Sequence, residues 1–176
     1  WGVAGYPISH SLTPRLFGIV GSALGFGSVK AVSLEARSAE DFLERASELD
    51  GDLWISCTSP LKNSVCKKLG FNISDGLEAV NQVVRVNGEW SGVNTDGDGF
   101  VVACRYFGLN PEGTTLEIKG GGSTARSIAL SWTECGGKLS LLQGRRVLSD
   151  GPWMKSIAGE GVVPDAVSYT HLRAHE

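Results

Sequence analysis

The sequence predicts an α/β protein of two successive units, and three observations carry that expectation. Apolar runs of strand length alternate with segments whose apolar residues recur at helical spacing. Asn87-Gly88 divides two such apolar runs, the strongest short hairpin signal, because both residues tolerate positive φ. Gly120 to Ala125 is a glycine-rich turn set between a strand pattern and a helix pattern.

The elements follow in order. Trp1 to Tyr6 is an apolar run that ends at Pro7, a strand entering the loop Ile8 to Thr13. Thr13 as N-cap and Pro14 in the first helical position predict a helix whose apolar face is Leu16, Phe17, Ile19, Val20, Ala23 and Leu24, stopping at Gly25. Ser28 to Glu35 predicts a strand, and Ser38 followed by Asp41 predicts a capped helix after it. Leu53 to Thr58 reads as the next strand, with Pro60 opening a helix that runs to Leu69 before Gly70.

Ala79 to Val86 and Glu89 to Asn94 are the hairpin strands. A helix then begins at Asp96, places Phe100, Val101, Ala103, Cys104 and Phe107 on one face, and ends at Gly108. Beyond a linker with Pro111 and Gly113 comes a β-α-β unit: strand Thr115 to Lys119, glycine turn, helix to about Cys135, strand Lys138 to Gln143. The first unit is therefore expected over residues 1–110 and the second over residues 114–166.

Composition narrows the class of partner. The 176 residues are 41% hydrophobic, enough for a packed core, and 16 Lys plus Arg against 19 Asp plus Glu give a formal charge of -3. Neither sign forms a long block, so neither a nucleic-acid nor a membrane partner is expected, and any bound anion must be held locally. No apolar run approaches the roughly 20 residues that span a bilayer, and the chain opens in a strand, not in a signal peptide; a cytoplasmic protein is expected. The sequence carries no signal for oligomeric state.

Four cysteines, Cys57, Cys66, Cys104 and Cys135, form no C-x-x-C pair and are expected as reduced core residues, with no metal site and no disulfide. The segment Val167 to Glu176 resembles an in-frame translation of a sequencing adapter, and the natural sequence is expected to stop near Ala166. His171 and His175, at a spacing that mimics a helical metal pair, are set aside for that reason.

Gly120-Gly121-Gly122-Ser123-Thr124-Ala125 fits the dinucleotide fingerprint G-x-G-x-x-A, in which glycines let the backbone approach a pyrophosphate that the helix N-terminus then holds. A flexible glycine turn is the alternative. The following strand ends in Gln143-Gly144-Arg145-Arg146, with no carboxylate for a ribose 2'-hydroxyl. Two guanidinium groups suit the 2'-phosphate of NADP, or else a solvated loop. Glu117 and Lys119, in a strand of this kind, imply less burial than such strands usually have, or read errors in the sequence.

Thr58-Ser59-Pro60-Leu61-Lys62 and Asn94-Thr95-Asp96-Gly97 each place a charged group where a strand gives way to a helix, the boundary at which α/β proteins build sites. Lys62 paired with Asp96 could exchange a proton with a substrate oxygen; taken singly, they read as a surface lysine and an N-cap.

Read together, these motifs resemble the shikimate dehydrogenase family. Gly5 to Pro14 is similar to that family's G-x-P-I-x-H-S-x-S-P. Cys57 to Lys62 looks like its V-T-x-P-x-K, Ala79-Val80-Asn81 its A-V-N-T, Gly92 to Gly97 its G-x-N-T-D-G, and Gly120 to Arg126 its G-x-G-G-x-x-R. The resemblance implies an N-terminal mixed-sheet substrate domain followed by an incomplete Rossmann-type nucleotide-binding domain. It also implies reversible NADPH-dependent reduction of 3-dehydroshikimate to shikimate, a step of chorismate and aromatic amino-acid biosynthesis.

On that reading Lys62 is the proton donor and acceptor, and Asp96 holds the substrate hydroxyls and Lys62. Ser11 and Thr13 meet the substrate carboxylate, and Thr58 and Asn81 complete the polar lining. Gly120, Gly121, Gly122, Ser123, Thr124 and Ala125, with Arg145 and Arg146, hold NADP. The chain departs from the family pattern at Thr13, where a serine is usual, at Ser56 and Gln82, and at Gly144, which stands for the asparagine of N-R-T. The first departure keeps a quinate or dual-specificity dehydrogenase in view. Family members continue for roughly a hundred further residues, about half a domain, which implies a cofactor domain cut short and leaves a non-catalytic substrate-binding remnant as the other alternative.

Overall fold

The computed structural model describes residues 1–169, apart from residues 28, 75, 149 and 160. His171 and His175 lie outside the described residues. Two compact units result: Trp1–Ile73 with Glu78–Asn94, and Ser74–Leu77 with the chain from Thr95 onward. The division falls at Asn94, earlier than the expected break near residue 110, because the helix that begins at Asp96 packs along the helix of the β-α-β unit.

The first unit is a mixed five-stranded sheet. Its strands are β1 (Gly2–Gly5), β2 (Val32–Glu35), β3 (Leu53–Cys57), β4 (Gln82–Val86) and β5 (Glu89–Val93), in the order β2-β1-β3-β4-β5. β2, β1 and β3 run parallel, and β4 and β5 are antiparallel. The hairpin forms where expected: Asn87 (φ 51°) and Gly88 (φ 83°) both take positive φ, as a two-residue loop matched to strand twist requires. The second strand is shorter than its expected span from Ser28; residue 28 is outside the described residues, and residues 29–31 are exposed and make no ladder.

Helices α2 (Ala39–Ser47) and α3 (Leu61–Lys68) bury one face of this sheet, with Phe42, Ala46, Leu61 and Val65 packed on Leu53, Ile55, Cys57 and Val83. Ser38 caps α2 as expected, accepting the Asp41 N–H at 3.2 Å. Asp41 in turn accepts from the Arg37 N–H and pairs with Arg45, and these partners hold its carboxyl below the ordinary value. Trp54 points away from that core, and its ring lies 5.3 Å from Phe17 of α1 (Thr13–Ala23).

α1 starts one residue before its expected position, with Leu12 as N-cap and Thr13 as the first helical residue; the Thr13 N–H is accepted by Ser11 Oγ at 3.2 Å. Its predicted apolar face is largely exposed, with Leu16 at 55%, Ile19 at 60% and Leu24 at 61%. The helix meets the sheet through Phe17 and Gly21, which leaves the rest of that face outside the core.

The second unit has a three-stranded parallel sheet in the order β7-β6-β8, with β6 at Thr115–Lys119, β7 at Lys138–Leu142 and β8 at Ala166–Tyr169. α5 (Ser123–Glu134) makes the β6-α5-β7 crossover, and α4 (Asp96–Tyr106) lies against α5. The core is Leu116, Ile118, Ala125, Ile128, Ala129, Trp132, Leu139 and Trp153. Glu117 and Lys119 find their account here: they alternate with the buried Leu116 and Ile118, so they occupy the more open face of the sheet. β8 begins at Ala166 and runs into the adapter-like residues 167–169.

On α4 the expected apolar face is only partly realised. Gly97 and Val101 are buried, whereas Ala103 is exposed and Phe107, just past the helix, is 83% exposed with its ring on Tyr106. The contact stripe starts from Gly97, and its rows at four and seven residues on are Val101 and Cys104, which excludes Phe107.

Candidate active site

Strand register brings four expected site residues to one edge of the first sheet. Ala4 of β1 pairs with Cys57 of β3, and Gln82 of β4 pairs with Ser56 and with Val93 of β5. The backbone beyond this row continues the same ladder, with the Cys57 N–H donating to Asn81 O at 2.7 Å and the Asn81 N–H to Val93 O at 3.1 Å. Asn81 is therefore fixed at the strand end, and it is 7% exposed.

The loops that leave β1 and β3 are tied together at this edge. The Thr58 N–H donates to Ala4 O and the Tyr6 N–H to Ser59 O, each at 2.9 Å. Ser11 lies in the first loop, half-buried, with its N–H on Ile8 O. Thr58 O accepts the Leu61 N–H, which starts α3 and puts Lys62 in its first turn. The Lys62 carbonyl accepts the Val80 N–H at 3.0 Å, joining the lysine's backbone to the Ala79-Val80-Asn81 strap. Asn94, at the end of β5, donates through Nδ2 to Ala79 O at 3.1 Å and closes the same strap from the other side.

Cys57 sits beneath this edge. Burial pushes its thiol up to about 12, and the nearby Lys62 ammonium pulls weakly the other way. The thiol is thus a packed, protonated group, as expected of a core cysteine.

The second unit holds the other expected residues. Asp96 is the first residue of α4, half-buried, and its Oδ2 accepts the Thr124 hydroxyl at 3.0 Å. Sequence reading paired Asp96 with Lys62 and assigned Thr124 to a nucleotide, and it did not foresee this bond. A signal was present: Thr124, Ser127 and Ser131 share one face of α5, and Ser127 and Ser131 meet the Gly97 N–H and Asp98 Oδ1, both at 2.8 Å.

The conformation of the glycine turn is set by its backbone. Gly120 takes φ +123°, a conformation that side chains avoid. A Cβ at Gly121 would meet Val147 O at 2.0 Å, so the loop after β7 presses directly on the turn. At Gly122 a Cβ would meet nothing within 4 Å. Gly122 is also the N-cap of α5, and Ala125 is fully buried. Open backbone and a helix N-terminus are the features by which such a turn could receive an anion.

Gly144 packs on Gly120, a Cβ there standing 3.2 Å from the Gly120 nitrogen, and Arg145 and Arg146 follow it, both exposed. Gln143 follows β7 with no carboxylate beside it, and these residues would suit a 2'-phosphorylated dinucleotide. No helix among the described residues is long and apolar enough to cross a membrane.

No family model matches the chain. It is similar to a shikimate dehydrogenase (NADP(+)) of Alkaliphilus metalliredigens, 34% identical over 151 residues, which are 83% of this chain and 52% of that protein. The crystal structure of shikimate 5-dehydrogenase from Listeria monocytogenes in complex with shikimate and NAD matches with a TM-score of 0.67 at 28% identity, over 82% of this chain and 51% of that one. The enzyme from Thermus thermophilus in complex with NADP(H) and shikimate matches with a TM-score of 0.67 at 27% identity, over 81% of this chain and 54% of that one. By sequence and by fold the chain resembles shikimate dehydrogenases, and it spans about half the length of the relatives it matches.

Proposed function

We propose that this chain is a segment of an NADP-dependent shikimate dehydrogenase, an oxidoreductase that interconverts 3-dehydroshikimate and shikimate in aromatic amino-acid biosynthesis. The observation that carries the reading is the gathering of Ser11, Thr58, Lys62 and Asn81 at one edge of the first sheet, in the motifs the resemblance picks out. Such an edge suits a small, hydroxyl-rich carboxylic acid, recognised through directed hydrogen bonds.

Within this reading the first unit binds substrate. Ser11 and Thr13 take the carboxylate, Thr58 and Asn81 take hydroxyls, and Lys62 passes a proton to or from the substrate oxygen. Asp96 orients the substrate hydroxyls. Gly120 to Ala125 receive the pyrophosphate, and Arg145 and Arg146 the 2'-phosphate. When bound, the nicotinamide supplies the hydride chemistry. A small-molecule substrate and a cytoplasmic setting go with this activity.

The test is steady-state turnover by the full-length product of the source gene, with shikimate or quinate as substrate and NADP or NAD as oxidant. NADP-dependent oxidation of shikimate, faster than that of quinate, is the expected outcome. Preference for quinate would favour a dual-specificity enzyme, for which Thr13 is the motivating departure; shikimate binding without turnover with either cofactor would sink the dehydrogenase reading. The isolated 176-residue chain is expected to show little turnover, since its parallel sheet has three strands among the described residues.

A further inference from the structure

We propose that Thr124 is a positioning residue for Asp96, its hydroxyl fixing the orientation of the carboxylate that the reaction uses. The inference rests on the reading of Asp96 given above, and it assigns Thr124 a task different from phosphate contact. Thr124 Oγ1 donates to Asp96 Oδ2 at 3.0 Å, and both residues are half-buried.

The geometry makes this bond a firm restraint. A carboxylate turns broadly about its terminal torsion, so a fixed donor is needed to hold one orientation. Thr124 is β-branched and lies in the first turn of α5, where its side-chain torsion has few options. The helix that bears the carboxylate cannot shift away either. Ser127 Oγ accepts the Gly97 N–H and Ser131 Oγ donates to Asp98 Oδ1, each at 2.8 Å, and Ser127 is 2% exposed.

Gly97 completes the clamp. A Cβ there would stand 2.1 Å from Ser127 O, so α4 and α5 touch backbone to backbone beside Asp96. On this face of α5 the Thr124 hydroxyl bonds the Asp96 carboxylate, Ser127 the Gly97 N–H and Ser131 the Asp98 carboxylate. A hydroxyl has one proton to donate. That proton goes to Asp96, and any phosphate at the glycine turn is left to the backbone N–H groups of the helix start.

The experiment compares Thr124→Val, Thr124→Ala and Thr124→Ser in the full-length protein, measuring kcat and both KM values, with Asp96→Asn as a reference. Hydrogen bonds to charged groups support an expected fall in kcat of about tenfold for the Val and Ala variants. The KM for NADPH should stay within about twofold of the parent, and Ser should restore kcat. In the Asp96→Asn background the Thr124→Val change should have no further effect on kcat.

Parent-like kcat in both hydroxyl-free variants would overturn the proposal, as would a rise in NADPH KM at unchanged kcat, which would return the hydroxyl to the cofactor. If Asp96→Asn itself turns over like the parent, the assignment of Asp96 fails and this inference fails with it. A severe Asp96→Asn defect beside neutral Thr124 variants removes the present inference alone.

Discussion

The two units present their candidate sites by different means. At the edge of the first sheet, polar side chains stand on loops and strand ends whose places are set by a mixed-sheet ladder and a buried core on the far side. At the second, the candidate site is backbone: a glycine with positive φ, and a glycine with open space where a side chain would be, at the start of a helix. A pocket for a small polyol acid needs donors and acceptors at chosen points, whereas a pyrophosphate needs room and aligned N–H groups. The first kind of site is sensitive to core packing at a distance, and the second to a single methyl group.

Substitutions can sharpen that contrast. Phe42→Ala removes a fully buried ring at the centre of the first core, where it lies 5.7 Å from Trp90, and should destabilise the protein by about 3–5 kcal/mol in denaturant unfolding. The loss should appear as weaker shikimate binding before any change in nucleotide binding. If nucleotide binding fails first, the contrast between the units is wrong.

Gly121→Ala should have a smaller effect on stability, about 1–3 kcal/mol, as the added carbon meets Val147 O. Its effect should fall on nucleotide affinity, read by fluorescence titration with NADPH, while shikimate affinity holds. Unchanged NADPH affinity would mean that the loop after β7 yields without disturbing the turn.

The same contrast explains what could be read in advance. Hairpin, capped helix and β-α-β unit all rest on local signals: Asn87-Gly88, Ser38 with Asp41, and glycines placed between strand and helix. Candidate site residues of the first unit could be singled out because residue types at strand-to-helix boundaries fall into ordered motifs. What escaped depends on tertiary contacts. Leu16, Ile19 and Leu24 have the helical spacing of a buried face, but α1 rests on the sheet through Phe17 and Gly21. The division at Asn94 follows from the α4–α5 contact, which no local signal marks as stronger than the Pro111–Gly113 linker.

Thr124 escaped for a related reason. Its hydroxyl was counted toward a phosphate because of its place in the glycine motif, and its bond to Asp96 spans 28 residues of sequence. The periodic Thr124, Ser127 and Ser131 face is visible in the sequence, but that it meets the first turn of α4 at Gly97 and Asp98 is known only from the tertiary contact.

The most direct test of the account is Lys62→Ala in the full-length protein, assayed for NADP-dependent oxidation of shikimate alongside NADPH titration. Loss of a positioned general acid–base predicts a fall in turnover of about a thousandfold with nucleotide affinity retained. Turnover at the parent's rate in the Lys62→Ala protein would contradict the account at its centre.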